Sequence, residues 1–381
     1  ALGLSPTDAR SWLLAPVLVD PHSVLERPCG GRAEDLASLA AAAAAGGYGT
    51  VALLPWATPW RDRPERLGLG WAAPMQLLLW GSFSLEGADQ ELAPHADQIA
   101  AGAIGLACSE QQPPLALLER GLLLGEMGSR PVLVAPRDAG LSCGGFVREG
   151  VDALRAGWPL DPELSETLPL QSLLSLAQAR SAVAMRLMNL STAAGVALLA
   201  QAPKRPLASV SWWHLLADSG NLHPTEEGWR LRPSLGTPAD RLGLLAGLEQ
   251  RLLTAVAVHH LPLDAEEQLL PLDQRRAGVA GHGARHGLVL PLLWQELVQR
   301  RGWSVELLWQ ALSWGGSELL GLPPEQLSQG TRRWLLFDPQ HPWSWERGES
   351  LSMAANQPRL GQSVCGAVRA TGLQPADHWS L

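Results

Sequence analysis

The sequence predicts an α/β protein built as a (β/α)8 barrel with a small β appendage at its C-terminal end. Two observations lead there. Eight short apolar runs recur between residues 16 and 258 of the 381, and stretches with helical character separate most of them, the pattern of β-α units repeated around a buried parallel sheet. The chain is also long enough to support one large core.

The expected strands are residues 16–19, 50–54, 75–80, 103–107, 131–135, 183–188, 207–212 and 254–258. Expected helices are 33–45, 89–100, 115–127, 163–179, 192–201 and 238–253. The first is alanine-rich and is stopped by Gly46 and Gly47; the last follows Thr237, a residue type that caps a helix N-terminus. Helices at 288–300 and 305–312 follow the eighth strand. A Trp- and Pro-rich tail then carries strand-like pieces at 333–337 and 364–370. The barrel is accordingly assigned to residues 1–325 and the appendage to 326–381. In such a barrel the chemistry sits at the carboxyl ends of the strands.

Composition narrows the functional classes. Formal net charge is -8 and the basic residues are scattered, so there is no cationic stripe to track a nucleic-acid backbone. Cys29, Cys108, Cys143 and Cys365 form no C-x-x-C, which suits a reducing compartment. With no secretory signal and no apolar run near 18 residues, the expectation is a soluble cytoplasmic protein without membrane or nucleic-acid partners. The 17 tryptophans are expected to pack the core and barrel rim, with some available for a contact surface.

Several segments taken in order resemble the dihydroorotases of the cyclic amidohydrolase superfamily. Asp20-Pro21-His22 resembles the family's Asp-x-His-x-His-x-Arg opening, and Gly46-Gly47-Tyr48-Gly49-Thr50-Val51 with Leu54-Pro55 resembles its second-strand motif. Leu190-Ser191-Thr192, Trp213-His214-Leu215, His259-His260-Leu261-Pro262, Phe337-Asp338-Pro339, Asn356 and Gly361 follow in the family's order. The resemblance runs from about residue 14 to 373 and implies an amidohydrolase-type barrel. It also implies zinc ligands after strands one, four, five, six and eight, activating a water that attacks a ring amide.

At those positions this chain departs from the family. His22 stands at the first ligand position, but its partner is Val24; the strand-four position falls at Ala107 or Cys108, and strand five gives Ala135-Pro136-Arg137. Arg186 and Asn189 replace the two strand-six histidines, and His259 replaces the strand-eight aspartate. Valine and alanine donate no electron pair, and a guanidinium at Arg186 would repel a cation. The sole lysine, Lys204, sits in an expected loop and cannot supply the carbamylated ligand known in part of the superfamily. Glu26 and Trp56 stand where the family holds a substrate carboxylate with arginine and asparagine.

The expectation is therefore a dihydroorotase-like pseudoenzyme with no catalytic, cofactor-binding or metal residues. Its vestigial pocket comprises His22, Val24, Glu26, Trp56, Cys108, Ala135, Arg186, Asn189 and His259. By family precedent it would be a noncatalytic scaffold for aspartate transcarbamoylase in pyrimidine biosynthesis, and a homo-oligomer. The competing hypothesis is a cyclic-amide hydrolase running on one residual zinc through His22, Cys108 and His259; a third is a small-molecule sensor using the barrel mouth. His259 and His260 are adjacent and should diverge. His282 and His286 lie among glycines and are expected in a flexible loop, while the adjacent Glu266 and Glu267 diverge and are expected in a solvated loop. Gly46-Gly47-Tyr48-Gly49 precedes a strand and is expected to stop a helix, not to cradle phosphate.

Overall fold

A computed structural model describes residues 11–70, 75–223 and 225–380. The first ten residues of the barrel assignment and the last of the appendage lie outside the described residues. Eight parallel strands run in chain order: β1 (Leu18–Ser23), β2 (Tyr48–Leu53), β3 (Gln76–Leu79 continued by Gly81–Ser82), β4 (Leu106–Ala107), β5 (Val132–Val134), β6 (Met185–Leu187), β7 (Leu207–Ser211) and β8 (Ala255–Ala257). Each neighbours the next, from β1 through β8. The expected barrel is the fold found. Every residue of β1 and of β2 is buried, because helices cover the outside of the sheet and side chains fill its inside.

β8 and β1 share no regular ladder, and the barrel closes there through the Asp20 side chain and one backbone hydrogen bond just beyond the strand ends. Asp20 Oδ1 accepts from the Val258 amide at 3.0 Å, and its Oδ2 accepts from Ser23 Oγ at 2.5 Å and from His282 Nε2 at 3.0 Å. Ser23 Oγ in turn accepts from the His260 amide at 2.8 Å, and the Val24 amide donates to the His260 carbonyl at 2.9 Å.

Inside the barrel Val19, Ala52, Trp80, Ile104, Ala107, Leu133 and Ala255 form one apolar cluster. Leu319 and Leu320, from the helix Gly315–Leu320, plug its floor. That helix approaches the strands closely because Gly315 and Gly316 have no side chains: a Cβ on Gly315 would lie 1.9 Å from the Thr254 carbonyl oxygen. Full burial of each leucine is worth about 2 kcal/mol.

Helix boundaries follow local chemistry. The helix expected at 33–45 is Leu36–Ala45, since Asp35 accepts from the Ser38 amide and Ser38 Oγ from the Asp35 amide, a reciprocal capping box. It ends at Gly46, and Gly47 turns the chain with φ +84°. The helix expected at 89–100 is only His95–Ala100, because Pro94 disfavours helical backbone at Ala93 and can only open the helix behind it. Thr192 and Thr237 cap Ala193–Gln201 and Pro238–Glu249. Residues 288–300 begin as Val289–Leu293 and continue as π-helix, Trp294–Arg300.

The strand expected at 16–19 is two strands. Leu13–Pro16 leaves the barrel to pair antiparallel with Trp334–Ser344, which pairs antiparallel with Ser363–Thr371. Both ends of the chain thus build one three-stranded sheet, held to the barrel by Trp309 Nε1 donating to the Pro16 carbonyl (3.0 Å) and Ser313 Oγ to that of Val17 (2.7 Å). Among the described residues no helix is long and apolar enough to cross a membrane.

Replacing Asp20 by alanine strands the Val258 amide and the His282 ring N–H in the core. We expect Asp20→Ala to lower the unfolding free energy by on the order of 3 kcal/mol in urea titration. A loss under about 1 kcal/mol would mean that the carboxylate does not close the barrel.

Candidate functional site

The carboxyl ends of the strands bring together His22, Val24, Trp56, Ala135, Asn189 and His259. At the centre are two imidazoles: His22 Nδ1 lies 3.0 Å from His259 Nδ1, with the rings edge-on at 5.0 Å and 79°. Ser209 Oγ lies 2.8 Å from His22 Nε2, so both ring nitrogens of His22 are engaged. Burial, and then the neighbouring His259, hold the His22 pKa well below its ordinary value. Burial brings His259 down to about 4. Both rings are neutral near pH 7.

His259 and Asn189, at the ends of β8 and β6, carry left-handed backbone, φ 45° and 52°. Such strain at two non-glycine residues flanking one pocket is what functional strand ends tend to store. The Asn189 amide donates to Ser209 Oγ at 3.0 Å, while neither polar atom of its buried side chain has a partner.

Trp56 occupies the mouth. Its Nε1 donates to the Cys108 carbonyl at 3.0 Å, and its ring meets His259 edge-on at 5.8 Å and 89°. Cys108 is fully buried, and its thiol is pushed well up by burial, with Asp89 adding to the effect. Val24 and Glu26 line the outer wall, where Glu26 pairs with Arg276. Arg27, the next residue, is exposed. Arg186 is not at the mouth. Sequence reasoning put its guanidinium in the cation's space, but Arg186 sits near the start of β6, where Nε donates to the Leu319 carbonyl in the floor plug at 3.2 Å.

These residues do not fit the family's metal. Two imidazole nitrogens that hydrogen-bond each other offer no pair of free lone pairs to a shared ion, and Ala135 and Val24 offer none. Among the described residues no three His, Cys, Asp or Glu side chains converge as a ligand set, so Cys108 does not complete one with His22 and His259.

Sequence reasoning missed a buried polar frame around this mouth. Glu166 accepts from the Ser191 amide (2.9 Å), Ser191 Oγ (2.5 Å), the Thr192 amide (3.1 Å) and Thr192 Oγ1 (2.7 Å). Arg148 donates to Ser191 Oγ at 2.8 Å and stands 3.6 Å from Asp161. His260 diverges from His259, as adjacency requires, and its Nε2 lies 3.2 Å from Glu34 Oε2. His282 was expected in a flexible loop; it is instead buried, bonded to Asp20 and edge-on to Tyr48 at 4.8 Å. Glu267 is not in a solvated loop but in the helix Ala265–Leu269, where it pairs with Arg276. These partners lie up to 262 residues apart, so no local spacing could have revealed them.

Solved structures with this fold include the L-hydantoinase (dihydropyrimidinase) of Arthrobacter aurescens, with TM-score 0.79 and 16% identity, covering 95% of this chain and 84% of that one. Another is the inactive dihydroorotase-like domain of a Chaetomium thermophilum CAD-like multifunctional protein, with TM-score 0.62 and 15% identity, covering 94% and 92%. The architecture is thus the TIM barrel that these structures share. No family profile matches the chain. In sequence it is 32% identical to a probable dihydroorotase-like protein of Synechocystis sp., over 96% of this chain and 90% of that protein. It is 30% identical to a dihydroorotase-like protein of Pseudomonas aeruginosa, over 96% and 87%, and 26% identical to the dihydroorotase of Listeria welshimeri, over the same shares. The chain belongs to the dihydroorotase-like family.

The neutral buried rings couple stability to pH. His259 titrates near 4 in the fold against an ordinary 6.5, so the unfolded chain takes up the proton first and stability falls as pH drops through 6.5, levelling near 4. The loss from this residue is on the order of 3 kcal/mol by pH 4. His259→Asn, which tolerates the left-handed backbone, should shrink the acid-dependent loss in urea titrations between pH 7 and 4. An unchanged pH slope would remove His259 from the account.

Proposed function

We propose that this protein is a dihydroorotase-like pseudoenzyme that hydrolyses no cyclic amide and acts as a noncatalytic partner in pyrimidine biosynthesis, with aspartate transcarbamoylase as the protein it helps assemble. The observation that carries the first half is the direct His22–His259 hydrogen bond: the nitrogens at the ligand positions bind each other, and Val24, Ala135 and Asn189 stand where further ligands would be needed. Trp56 adds bulk where the family's substrate would enter.

The second half rests on family precedent, since noncatalytic homologues serve as scaffolds, and the fold neighbour from Chaetomium is itself described as inactive within a multifunctional protein. A surface suited to association is available: the helix Leu115–Leu124 leaves Leu123 and Leu124 65% and 55% exposed.

Protein purified without chelator should contain well under one equivalent of zinc and show no dihydroorotate hydrolysis. One equivalent of zinc, lost together with turnover in His22→Ala, would overturn the pseudoenzyme reading. Mixed with aspartate transcarbamoylase, it should form a larger species by light scattering, and Leu123→Glu/Leu124→Glu should weaken that species roughly tenfold or more without changing Tm. Absence of the larger species would remove the assembly role.

A further inference from the structure

The N-terminal end of the barrel, opposite the mouth, carries a cleft of about 630 Å³. It opens where Leu207 begins β7 and Thr254 precedes β8, and the last helical run bounds it at Leu307 and Gln310. Leu207, Leu248, Leu252 and Leu307 make its floor apolar. The volume suits an organic ligand of about mononucleotide size.

The charge around this cleft is one-sided. Lys204 and Arg205 come from the loop before β7 and Arg251 from the loop before β8, while Glu318 is the carboxylate that faces them. The helices Ala193–Gln201 and Pro238–Glu249 also end beside these loops, and each helix end contributes about half a negative charge. Roughly one positive charge is left over.

The donors are open to a ligand. Lys204, Arg205 and Arg251 are all exposed, and among the described residues the Arg205 and Arg251 guanidiniums have no hydrogen-bond or ion-pair partner. Lys204 Nζ donates to the Ser181 carbonyl and keeps further N–H groups free. Arg251 carries left-handed backbone, φ 55°, in a turn where the Leu252 and Leu253 amides donate to the Gly247 carbonyl at 2.8 and 3.0 Å. Glycine or asparagine is the usual residue in that conformation just past a helix end, so an arginine there costs stability and points to a role for its side chain.

We propose that this cleft binds the phosphates of a small organic phosphate, whose body lies on the leucine floor. Two guanidinium forks and one ammonium from separate loops face the same space. The forks pair bidentately with phosphate oxygens, and the ammonium acts as a point charge. This site lies at the other end of the barrel from His22 and His259, and the inference depends neither on the lost metal centre nor on an assembly role.

ADP tests it by isothermal titration calorimetry at physiological ionic strength, with adenosine and inorganic pyrophosphate as partial probes. The expected result is saturable one-to-one binding of ADP, pyrophosphate roughly tenfold weaker and adenosine giving no heat. Arg205→Gln and Arg251→Asn, the second of which keeps the left-handed backbone, should each weaken ADP roughly tenfold or more at unchanged Tm. Arg120→Gln, on the exposed face of the helix Leu115–Leu124, should leave binding as it was. No saturable heat with ADP, adenosine or pyrophosphate binding as tightly as ADP, or an equal loss in Arg120→Gln would each overturn the proposal. If a cleft variant does not fold, the ADP and adenosine pair still decides.

Discussion

The Asp20 carboxylate is the constraint on which the barrel depends. Eight parallel strands close only if the eighth meets the first, and here that seam has no regular ladder. Asp20 supplies what a single backbone bond, Val24 to His260, does not, accepting from the Val258 amide and from Ser23 and His282 side chains at one fully buried point. The alignment of His22 and His259 follows, because each lies within two residues of an atom bonded to that carboxylate. Glu34 repeats the device one layer out, where it meets His260 and the Ser352 hydroxyl.

Around this seam the mouth is built from groups that pair with one another. The backbone is left-handed at Asn189 and His259, and among the described residues no three His, Cys, Asp or Glu side chains converge there as a ligand set. Two neutral imidazoles satisfy each other, an indole fills the entrance, and guanidiniums stand nearby on a frame of buried carboxylates. The barrel tolerates varied side chains at its strand ends because its apolar interior and floor plug lie away from them.

Much of the fold was legible from periodicity and caps. The eight apolar runs each overlap a barrel strand, and Thr237 caps the helix it was expected to cap. The residue chemistry at two site positions was legible too: Val24 and Ala135 offer no electron pair in any geometry. The direction of Arg186 was not legible. A position near the start of β6 does not say which end of the barrel a long flexible side chain will choose, and the Leu319 carbonyl decides it.

By itself, then, the sequence determined the barrel, its order of elements and the absence of ligand donors at named positions, because these depend on residue type and short-range spacing. Only the tertiary structure decided that His22 would bond His259, that Asp20 would close the seam, that His282 would be buried and that residues 13–16 would leave the barrel for the C-terminal sheet. Each of those is a contact between residues more than two hundred positions apart, and such contacts are set by how the packed layers meet, which local sequence does not encode.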